Sequence, residues 1–529
     1  MSRATERAED MRIERTPLPS RADLVVVGGG VIGCSIAREA ARYTPDVVIL
    51  EKESDVADGT SKANNAEVHS GIGEDAGTLK QKLNVRGNQM YDDFVQGLGI
   101  ELKRQGMLIV VTQRTVPPDE TGKLTEAERD DILTGKIPEG IIAYGEKAGI
   151  KGLRALSRDE IFRMEPNVTR EAVAGVFDPT YGLISPYKLT IALAEHAVIN
   201  GARVCLDTEV TGFRVSGGRV EAVITTRGEI ATSIVVNAAG VFADEVADMA
   251  GAGGFVIHPR KGASLLFDRQ VTAEYVHSSV AEFRLPGQKT TQSKGGGAMP
   301  TAEGNLQLGP TAIETDDKYD TSISAEEIEE IFERFHYLLP EFPREALISA
   351  FSGIRAPTLE EDFVIGPSDA VHGFVNVAGI QSPGLASAPA IAEMVIGILH
   401  GLGLPGDARP DFDAVRPTPV KFSELSVPER NRLIREDPRW GHIICRCETV
   451  TEMEVVNAIH SIIPATNMDA VKRRTRTGMG RCQGGFCGNR VAAILAEEWG
   501  IPITAVTKDG EGSPVFLGMA KEFLGSVAG

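Results

Sequence analysis

A glycine-rich turn between an apolar strand and a helix constrains the fold of this chain more than any other feature. Residues 24–27 are Leu-Val-Val-Val, the short β-branched run of a buried parallel strand. Residues 28–33, Gly-Gly-Gly-Val-Ile-Gly, follow at once, and a helical pattern runs on to about Tyr43. A second strand, residues 47–50, ends on Glu51. This order of strand, turn, helix, strand and acid predicts an α/β unit that binds a dinucleotide.

Each position of the turn has a physical role in that site. Gly28 makes the tight turn, Gly30 lets the backbone approach a pyrophosphate, and Gly33 lets the helix pack closely on the strand. The pyrophosphate would lie on the helix N-terminus beside Val31 and Ile32, where unpaired N–H groups and the helix dipole favour an anion. The acid that ends the second strand would accept hydrogen bonds from the adenosine ribose.

Two further features favour FAD over NAD. Residues 59–65 form a small, polar, donor-rich loop that suits phosphates and the edge of a flavin. Another strand of the nucleotide domain comes much later, at residues 233–240, after a long insertion. By analogy, such a split nucleotide domain is the habit of flavoproteins. The predicted cofactor contacts of these parts are Lys52, Thr60, Ser61, Asn65, Val210, Ala239 and Gly240.

A second helix start follows the strand at residues 374–378. Glycines and a proline occupy residues 379–387, and a helix is expected from about Ala388. A helix N-terminus aimed at the N1/O2 edge would stabilise the negative charge of reduced flavin. A simple strand-to-helix turn is an equal alternative for this segment taken alone. The predicted contacts are Gly379, Pro383, Gly384 and Leu385.

Four of the six cysteines are crowded into the last fifth of the chain. Cys445 and Cys447 form one tight pair, and Cys482 and Cys487 form a second pair 34 residues later. Without a secretory signal, such pairs predict thiolate ligands of an iron–sulfur cluster or of zinc rather than disulfides. The arginines of the nearby stretch, Arg473, Arg474 and Arg481 among them, are expected to offset the charge of a four-thiolate cluster.

Charge and hydropathy exclude several classes of partner. The formal net charge of −19 disfavours nucleic acid. The N-terminus lacks the apolar core of a signal peptide, and the longest apolar stretch, residues 388–404, is interrupted by Glu393 and His400. We therefore expect no transmembrane segment and a cytoplasmic protein, which contacts the inner face of the membrane only through a partner.

Residues 22 to about 415 resemble the FAD-dependent family that includes D-amino-acid oxidase, glycerol-3-phosphate dehydrogenase and L-2-hydroxyglutarate dehydrogenase. The resemblance rests on Val68-His69-Ser70-Gly71-Ile72, on Phe351-Ser352-Gly353-Ile354-Arg355 and on residues 379–390. It is nearest to the iron–sulfur subunit of the anaerobic-type glycerol-3-phosphate dehydrogenases. Residues 441–499 resemble a bacterioferritin-associated-ferredoxin-like domain, which favours [2Fe–2S] over zinc.

Two positions depart from the family pattern and bear on the substrate. Gly73-Glu74 stand where Arg-Tyr or Tyr-Tyr often follows the first motif. Gly379-Ile380-Gln381 stand where glycerol-3-phosphate enzymes tend to carry Gly-Gly-Lys. The departures leave the family intact and make the substrate the weaker part of the prediction.

The resemblance places two catalytic candidates beside the flavin. His69 is the predicted base for the substrate hydroxyl, because the pKa of histidine lies close to neutral pH, although a structural role under the flavin is equally open. Arg355 is predicted to grip the phosphate or carboxylate of a small anionic substrate, as its counterpart does in the family. Arg260 either contacts the substrate or is a solvated surface charge, and the second interpretation is favoured.

Together these features predict an α/β (α+β overall) protein. The FAD-binding domain is Rossmann-like, built from about residues 22–85, 205–250 and 350–415, and an antiparallel-sheet substrate domain is inserted between its parts. Residues 1–21 are expected to be a flexible N-terminus, 416–440 a linker, 441–499 the [2Fe–2S] domain and 500–529 a tail.

The leading hypothesis for the activity is oxidation of sn-glycerol 3-phosphate to dihydroxyacetone phosphate. Electrons would then leave through the cluster to a partner redox subunit or a quinone-linked acceptor. The alternatives are a 2-hydroxy-acid dehydrogenase of the L-2-hydroxyglutarate kind, an amino-acid dehydrogenase, and an electron-transfer subunit without a substrate of its own.

Overall fold

A six-stranded sheet at the centre of the larger domain carries the predicted nucleotide unit. The computed structural model describes residues 16–116, 124–284 and 296–520. Five strands of this sheet are parallel and the edge strand Val364–Pro367 is antiparallel. The order across the sheet is Val364–Pro367, Phe374–Ala378, Val235–Asn237, Leu24–Val27, Val47–Leu50 and Arg203–Cys205.

Alternate residues of the parallel strands pack into two different cores. Val26 and Ile49 face a layer of helices, whereas Val25 and Val48 face a small antiparallel sheet. Both faces are therefore covered, which explains why these strands are continuous apolar runs. The helices of the first layer are Val31–Ala40, Leu79–Val95, Pro186–Ile199 and Gly384–Leu402. The small sheet consists of Val210–Ser216, Arg219–Thr225 and Gly228–Ala231, with the helix Ala243–Met249 beside it.

The inserted domain is built on a nine-stranded sheet. Eight strands follow the order Ile313–Glu314, Arg260–Phe267, Leu306–Gly309, Gly297–Pro300, Ser279–Glu282, Met107–Thr112, Ala172–Asp178 and Arg154–Ser157. The ninth, Leu347–Arg355, pairs with Arg260–Phe267. All pairings are antiparallel except that of Ser279–Glu282 with Met107–Thr112, which is parallel. The predicted antiparallel sheet is thus confirmed with one parallel pairing.

One boundary of the predicted FAD-binding domain needs correction. Strand Leu347–Arg355 was expected in its third part, but it belongs to the large sheet because it pairs along its length with Arg260–Phe267. Helices Glu126–Asp131, Ile137–Ala148, Arg158–Met164, Arg269–Tyr275 and Ala325–Phe335 surround this sheet. A three-stranded sheet of Glu67–Val68, Gly182–Ile184 and Leu102–Lys103 joins the two domains.

The C-terminal domain has its own apolar core. It contains the strands Ile443–Cys445 and Val450–Thr451 and the helices Glu452–Ile459, Met468–Thr475 and Gly488–Trp499. The segment predicted as a linker is ordered, because Arg416 pairs with the buried Glu195 and the helix Val427–Glu436 packs through Leu433 against Trp440.

The N-terminal end of the described chain lies against the protein. The backbone of Ala231 donates a hydrogen bond to Ser20, so residues 16–20 of the predicted flexible N-terminus lie beside the small sheet. Residues 1–15 and 521–529 are outside the described residues.

In the part of the chain that is described, one helix, Gly384–Leu402, is long and apolar enough to cross a membrane. Of the apolar stretch of this helix, 56% is buried inside the protein.

Candidate active site and cysteine cluster

One cavity of about 1170 Å³ lies between the carboxyl ends of the parallel strands and the large sheet. It brings together predicted residues as far apart in the chain as Gly28 and Leu385, and His69 and Arg355 are among them. Gly33 and Gly379 lie outside its wall. The predicted cofactor residues that line it are Gly28, Gly30, Val31, Ile32, Glu51, Lys52, Thr60, Ser61, Asn65, Val210, Ala239, Gly240, Pro383, Gly384 and Leu385.

The glycine-rich turn admits only glycine at two positions. Gly28 has a φ of +109°, and a Cβ there would lie 2.4 Å from the carbonyl oxygen of Ala238. A Cβ on Gly33 would lie 2.0 Å from the carbonyl oxygen of Gly28. The start of the helix Val31–Ala40 therefore approaches the strand as closely as two backbones can, and its N-terminus faces the cavity.

Glu51 is held in the position where a ribose would meet it. Its Oε2 accepts a hydrogen bond of 2.7 Å from the Gly29 N–H and its Oε1 one of 3.0 Å from the Glu53 N–H. Burial raises the pKa of Glu51 to about 7 even though both N–H groups favour the charged form. Ribose hydroxyl donors would stabilise the carboxylate further, so the residue fits an adenosine nucleotide.

The donor-rich loop is tied to both domains. The Val31 N–H donates to Ser61 Oγ at 2.9 Å, and Thr60 Oγ1 donates to the carbonyl of Ile354 at 2.6 Å. Asn65 Oδ1 accepts from Gln307 Nε2 at 2.8 Å. The loop thus joins the nucleotide-binding helix to the large sheet and has the shape to follow a long cofactor across the cavity.

His69 belongs to a small polar group on the cavity wall. Its Nε2 lies 3.6 Å from Glu67 Oε2, and the buried Tyr181 donates to the other oxygen of that carboxylate at 2.9 Å. A carboxylate in this position stabilises a charged imidazole, as an acid–base histidine requires. Sequence reasoning missed Glu67, although its spacing of two residues from His69 on an extended segment places both side chains on one face.

Arg355 differs from the other arginines of the cavity wall. Arg260, Arg284 and Arg334 each pair with a glutamate, whereas no carboxylate of the described residues lies within ion-pair distance of Arg355. Its Nη2 donates to the carbonyl of Thr311 at 2.9 Å. Burial, and then the charge of Arg260, lower the pKa of Arg355 to about 10. A guanidinium without a carboxylate partner retains its capacity to bind an anion bidentately.

The favoured interpretation of Arg260 as a solvated charge is wrong. Only 2% of the residue is exposed, and its guanidinium lies 2.5 Å from carboxylate oxygens of Glu314 and Glu361. Glu361 also accepts from Gln381 Nε2 at 2.7 Å and lies 3.9 Å from the Lys80 ammonium. These partners come from distant segments, so no local pattern could have indicated them.

The four cysteines approach one another as two pairs. Cys447 and Cys482 have their sulfurs 3.9 Å apart, and Cys445 is hydrogen-bonded to Cys487. That bond is the main cause that lowers the pKa of Cys445 to about 6, with help from backbone N–H groups that include that of Gly478. A Cβ on Gly480 would lie 2.2 Å from Cys447 Cβ, so the loops close tightly around the thiols.

This donor set fits two irons better than one metal ion. Among the described residues, no group of three or more His, Cys, Asp or Glu side chains converges on a single point. Two thiol pairs on facing loops instead match a cluster in which each iron takes two thiolates.

The expected role of Arg473 and Arg474 at the cluster is wrong. Both side chains are largely covered and bind the flavin-side domain: Arg473 lies 3.1 Å from Asp55 and 3.0 Å from Asp58, and Arg474 lies 2.7 Å from Asp55. Asp55 and Asp58 belong to the loop between Glu51 and Thr60. Of the predicted arginines, Arg481 alone stays near the cysteines, where it pairs with Asp268 at 3.0 Å.

The fold and these two sites define a flavoprotein with a second, iron–sulfur redox centre. The model for "FAD dependent oxidoreductase" matches residues 23–397, and that for "BFD-like [2Fe-2S] binding domain" matches residues 443–497. The chain belongs to the FAD-dependent oxidoreductase family, with FAD and a [2Fe–2S] cluster as its cofactors.

Curated relatives extend over nearly the whole chain. A glycerol 3-phosphate dehydrogenase of Caloramator mitchellensis is 40% identical over 94% of this chain and 99% of its own length. The anaerobic glycerol-3-phosphate dehydrogenase of Escherichia coli has one subunit that is 25% identical over 89% of this chain and 88% of its own length.

A solved structure of FAD-bound L-alpha-glycerophosphate oxidase from Mycoplasma pneumoniae superimposes with a TM-score of 0.66 at 27% identity. It covers 76% of this chain and 100% of that oxidase, so about a quarter of this chain has no counterpart there. Glycine oxidase and L-proline dehydrogenase structures, at 21% and 22% identity, share the fold alone.

Proposed function

We propose that this protein is a glycerol-3-phosphate dehydrogenase, which oxidises sn-glycerol 3-phosphate to dihydroxyacetone phosphate and delivers the electrons through its C-terminal domain. The observation that carries the proposal is Arg355, a cavity-lining guanidinium without a carboxylate partner among the described residues, in a chain 40% identical to a glycerol 3-phosphate dehydrogenase. When bound, FAD supplies a hydride acceptor and the [2Fe–2S] cluster a one-electron carrier.

The cavity residues divide the work on the substrate. Arg355 holds the phosphate with charge-assisted hydrogen bonds and so orients the secondary alcohol. A nitrogen of the His69 imidazole takes the hydroxyl proton, and the Glu67 carboxylate stabilises the resulting charge. The buried pairing of Arg260 with Glu361 and Glu314 keeps this cation from competing for the phosphate.

Two-electron oxidation and single-electron export together favour a dehydrogenase over an oxidase. The glycerophosphate oxidase structure is covered completely by about three quarters of this chain. The cysteine domain is an addition with no use in direct reduction of oxygen. A partner subunit or a quinone-linked carrier, with the chain held peripherally at the inner face of the membrane, would take the electrons.

Anaerobic flavin bleaching of the holoenzyme tests the proposal. We expect sn-glycerol 3-phosphate to bleach the flavin, and L-2-hydroxyglutarate, L-proline and glycine to leave it oxidised. Bleaching by one of the other compounds alone would assign the chain to a different substrate class. Bleaching by none of them, with reduction only by a partner protein, would identify a chain that serves electron transfer alone.

Arg355→Met tests the anchoring role. Loss of a charge-assisted anchor in a buried site costs about 2 kcal/mol or more, which corresponds to a rise in KM of roughly 30-fold or more. The matched control is Arg334→Met, because Arg334 lines the same cavity but already pairs with Glu330 at 2.9 Å. An Arg355→Met enzyme with the KM of the control would refute the assignment of Arg355.

A further inference from the structure

The four predicted cluster ligands differ in their exposure to solvent. Cys445 and Cys487 are buried and Cys447 is half-buried, whereas Cys482 is exposed. Buried thiols face the core of the C-terminal domain. Because the rate of electron transfer falls steeply with distance, electrons leave on the Cys482 side.

An aromatic ring marks this exit. Phe486 belongs to the second cysteine loop, where it directly precedes Cys487 and lies four residues after the exposed Cys482. The residue is 40% exposed although it is large and apolar. Aromatic residues are enriched at the centres of protein–protein interfaces, so an exposed aromatic residue beside a redox ligand indicates an interface rather than a solvated loop.

Two arginines lie over the ring, Arg446 from the first cysteine loop and Arg490 from the helix that follows the second. The guanidinium of Arg446 lies 4.6 Å from the ring centroid and that of Arg490 lies 4.7 Å from it. Both residues are exposed, and within the described ranges no carboxylate forms an ion pair with either. Other exposed arginines, such as Arg114 and Arg214, pair with glutamates. Arg170, which lies over Phe162 in the inserted domain, shares the ring contact but lies far in sequence from any cysteine ligand.

The sign of this patch is opposite to that of the molecule. The chain carries a net charge of −19, yet Arg446 and Arg490 are exposed at the ring of Phe486, and no carboxylate of the described residues forms an ion pair with them. An acidic carrier would be repelled by the protein as a whole and attracted by these two arginines. Such focusing orients a partner during encounter and raises its association rate.

We propose that the cluster face, defined as Cys482, Phe486, Arg446 and Arg490, is the docking site of an acidic one-electron carrier protein. The inference rests on the proposed function and adds the exit surface and the charge of the acceptor. Each glycerol 3-phosphate gives up two electrons and two protons as its alcohol becomes a ketone. The acceptor takes the two electrons one at a time, in two encounters, and no bond is made or broken at this surface.

The test compares acceptors of opposite charge with the holoenzyme. Arg446→Glu/Arg490→Glu is assayed under anaerobic conditions with cytochrome b5, an acidic carrier, and with cytochrome c, a basic one. We expect its second-order rate with cytochrome b5 at low salt to fall about 10-fold or more, within the range of electrostatic steering, and its rate with cytochrome c to rise. Binding of oxidised cytochrome b5 without substrate, measured by calorimetry, should weaken in parallel.

Arg170→Glu is the matched control, because Arg170 is also exposed and lies over a phenylalanine ring, at 4.9 Å from Phe162, but belongs to the inserted domain. Equal rates and affinities for control and double variant would overturn the proposal. So would an unchanged rate with cytochrome b5 together with lost binding to phosphatidylglycerol vesicles, because that result assigns the patch to a membrane.

Two measurements separate the possible failures. Bleaching of the flavin by glycerol 3-phosphate does not involve the cluster face, so its absence would refute the proposed function and not the docking site. Arg446 lies between two cysteines, and the visible spectrum of the cluster shows whether it assembles in the variant. If it does not, Arg490→Glu alone carries the test, since Arg490 lies on the helix Gly488–Trp499 outside the cysteine loops.

Discussion

Arg473→Met should loosen the C-terminal domain from the flavin domain. The Arg473 side chain is 4% exposed and its partners Asp55 and Asp58 are 1% and 4% exposed. Removing one member of such a buried ion pair costs about 3–5 kcal/mol, because the remaining charge is left desolvated. In the variant Asp55 still pairs with Arg474 and Asp58 still pairs with Lys62. We therefore expect the free energy of unfolding to fall by about 3 kcal/mol, near the lower end of this range.

The pH dependence of this loss has a definite sign. Burial raises the pKa of Asp58 to about 6 in spite of Arg473 and Lys62, and removal of Arg473 raises it further. A carboxyl whose pKa is higher in the folded than in the unfolded protein destabilises the fold above its folded pKa. The penalty declines as the pH falls from there towards about 4. The cost of Arg473→Met should therefore be larger at pH 8 than at pH 5.

Tryptophan fluorescence during urea unfolding of the holoenzyme measures this effect, because Trp440 and Trp499 are the only tryptophans of the chain and both lie in its C-terminal part. The second readout is the rate at which substrate-derived electrons reach the cluster, which should fall while flavin bleaching stays normal. Asp58→Asn in the Arg473→Met background should recover most of the stability. A single variant as stable as the parent at pH 8, or a double variant without recovery, would refute the reasoning.

Three further predictions concern the two cofactors. Gly33→Ala should lower the free energy of unfolding by about 1–3 kcal/mol and should lower the flavin content of the purified protein. Gly397→Ala should change neither, because no atom lies within 4 Å of its new Cβ. Thermal unfolding and flavin absorbance measure the two effects. Flavin-free Glu51→Gln should be more stable than the flavin-free parent at pH 8, and the difference should vanish as the pH falls to about 4, because a folded pKa of about 7 penalises the ionised carboxyl. Titration should show weaker FAD binding. Cys445→Ser should lose the cluster spectrum and keep substrate bleaching of the flavin.

Segments that are close in sequence were predictable because their physics is local. The strand, turn and helix around Gly28 and Gly33 follow from apolar periodicity and from the need for two backbones to touch. The spacing of Cys445, Cys447 and Cys482 indicated thiolate ligation for the same reason, since a short loop can present only a few donor geometries.

Long-range pairing explains what the sequence did not indicate. Arg473 meets Asp55 across 418 positions, and Arg260 meets Glu361 across 101. The sequence around a charged residue does not indicate whether a distant carboxylate will pair with it in the interior. Surface exposure was therefore the expectation for Arg260, and neutralisation of the cluster charge was the expectation for Arg473. Their roles were decided by which surfaces the folded domains bring together.

The sequence by itself determined the two cofactor motifs, because each motif is a short run whose residue types and spacing are demanded by the group it holds. Only the tertiary structure decided that Arg355, alone among the cavity arginines of the described residues, has no carboxylate partner, and that Cys482 is the exposed ligand. Partnership and exposure depend on every segment packed around a residue, and those segments come from the whole length of the chain.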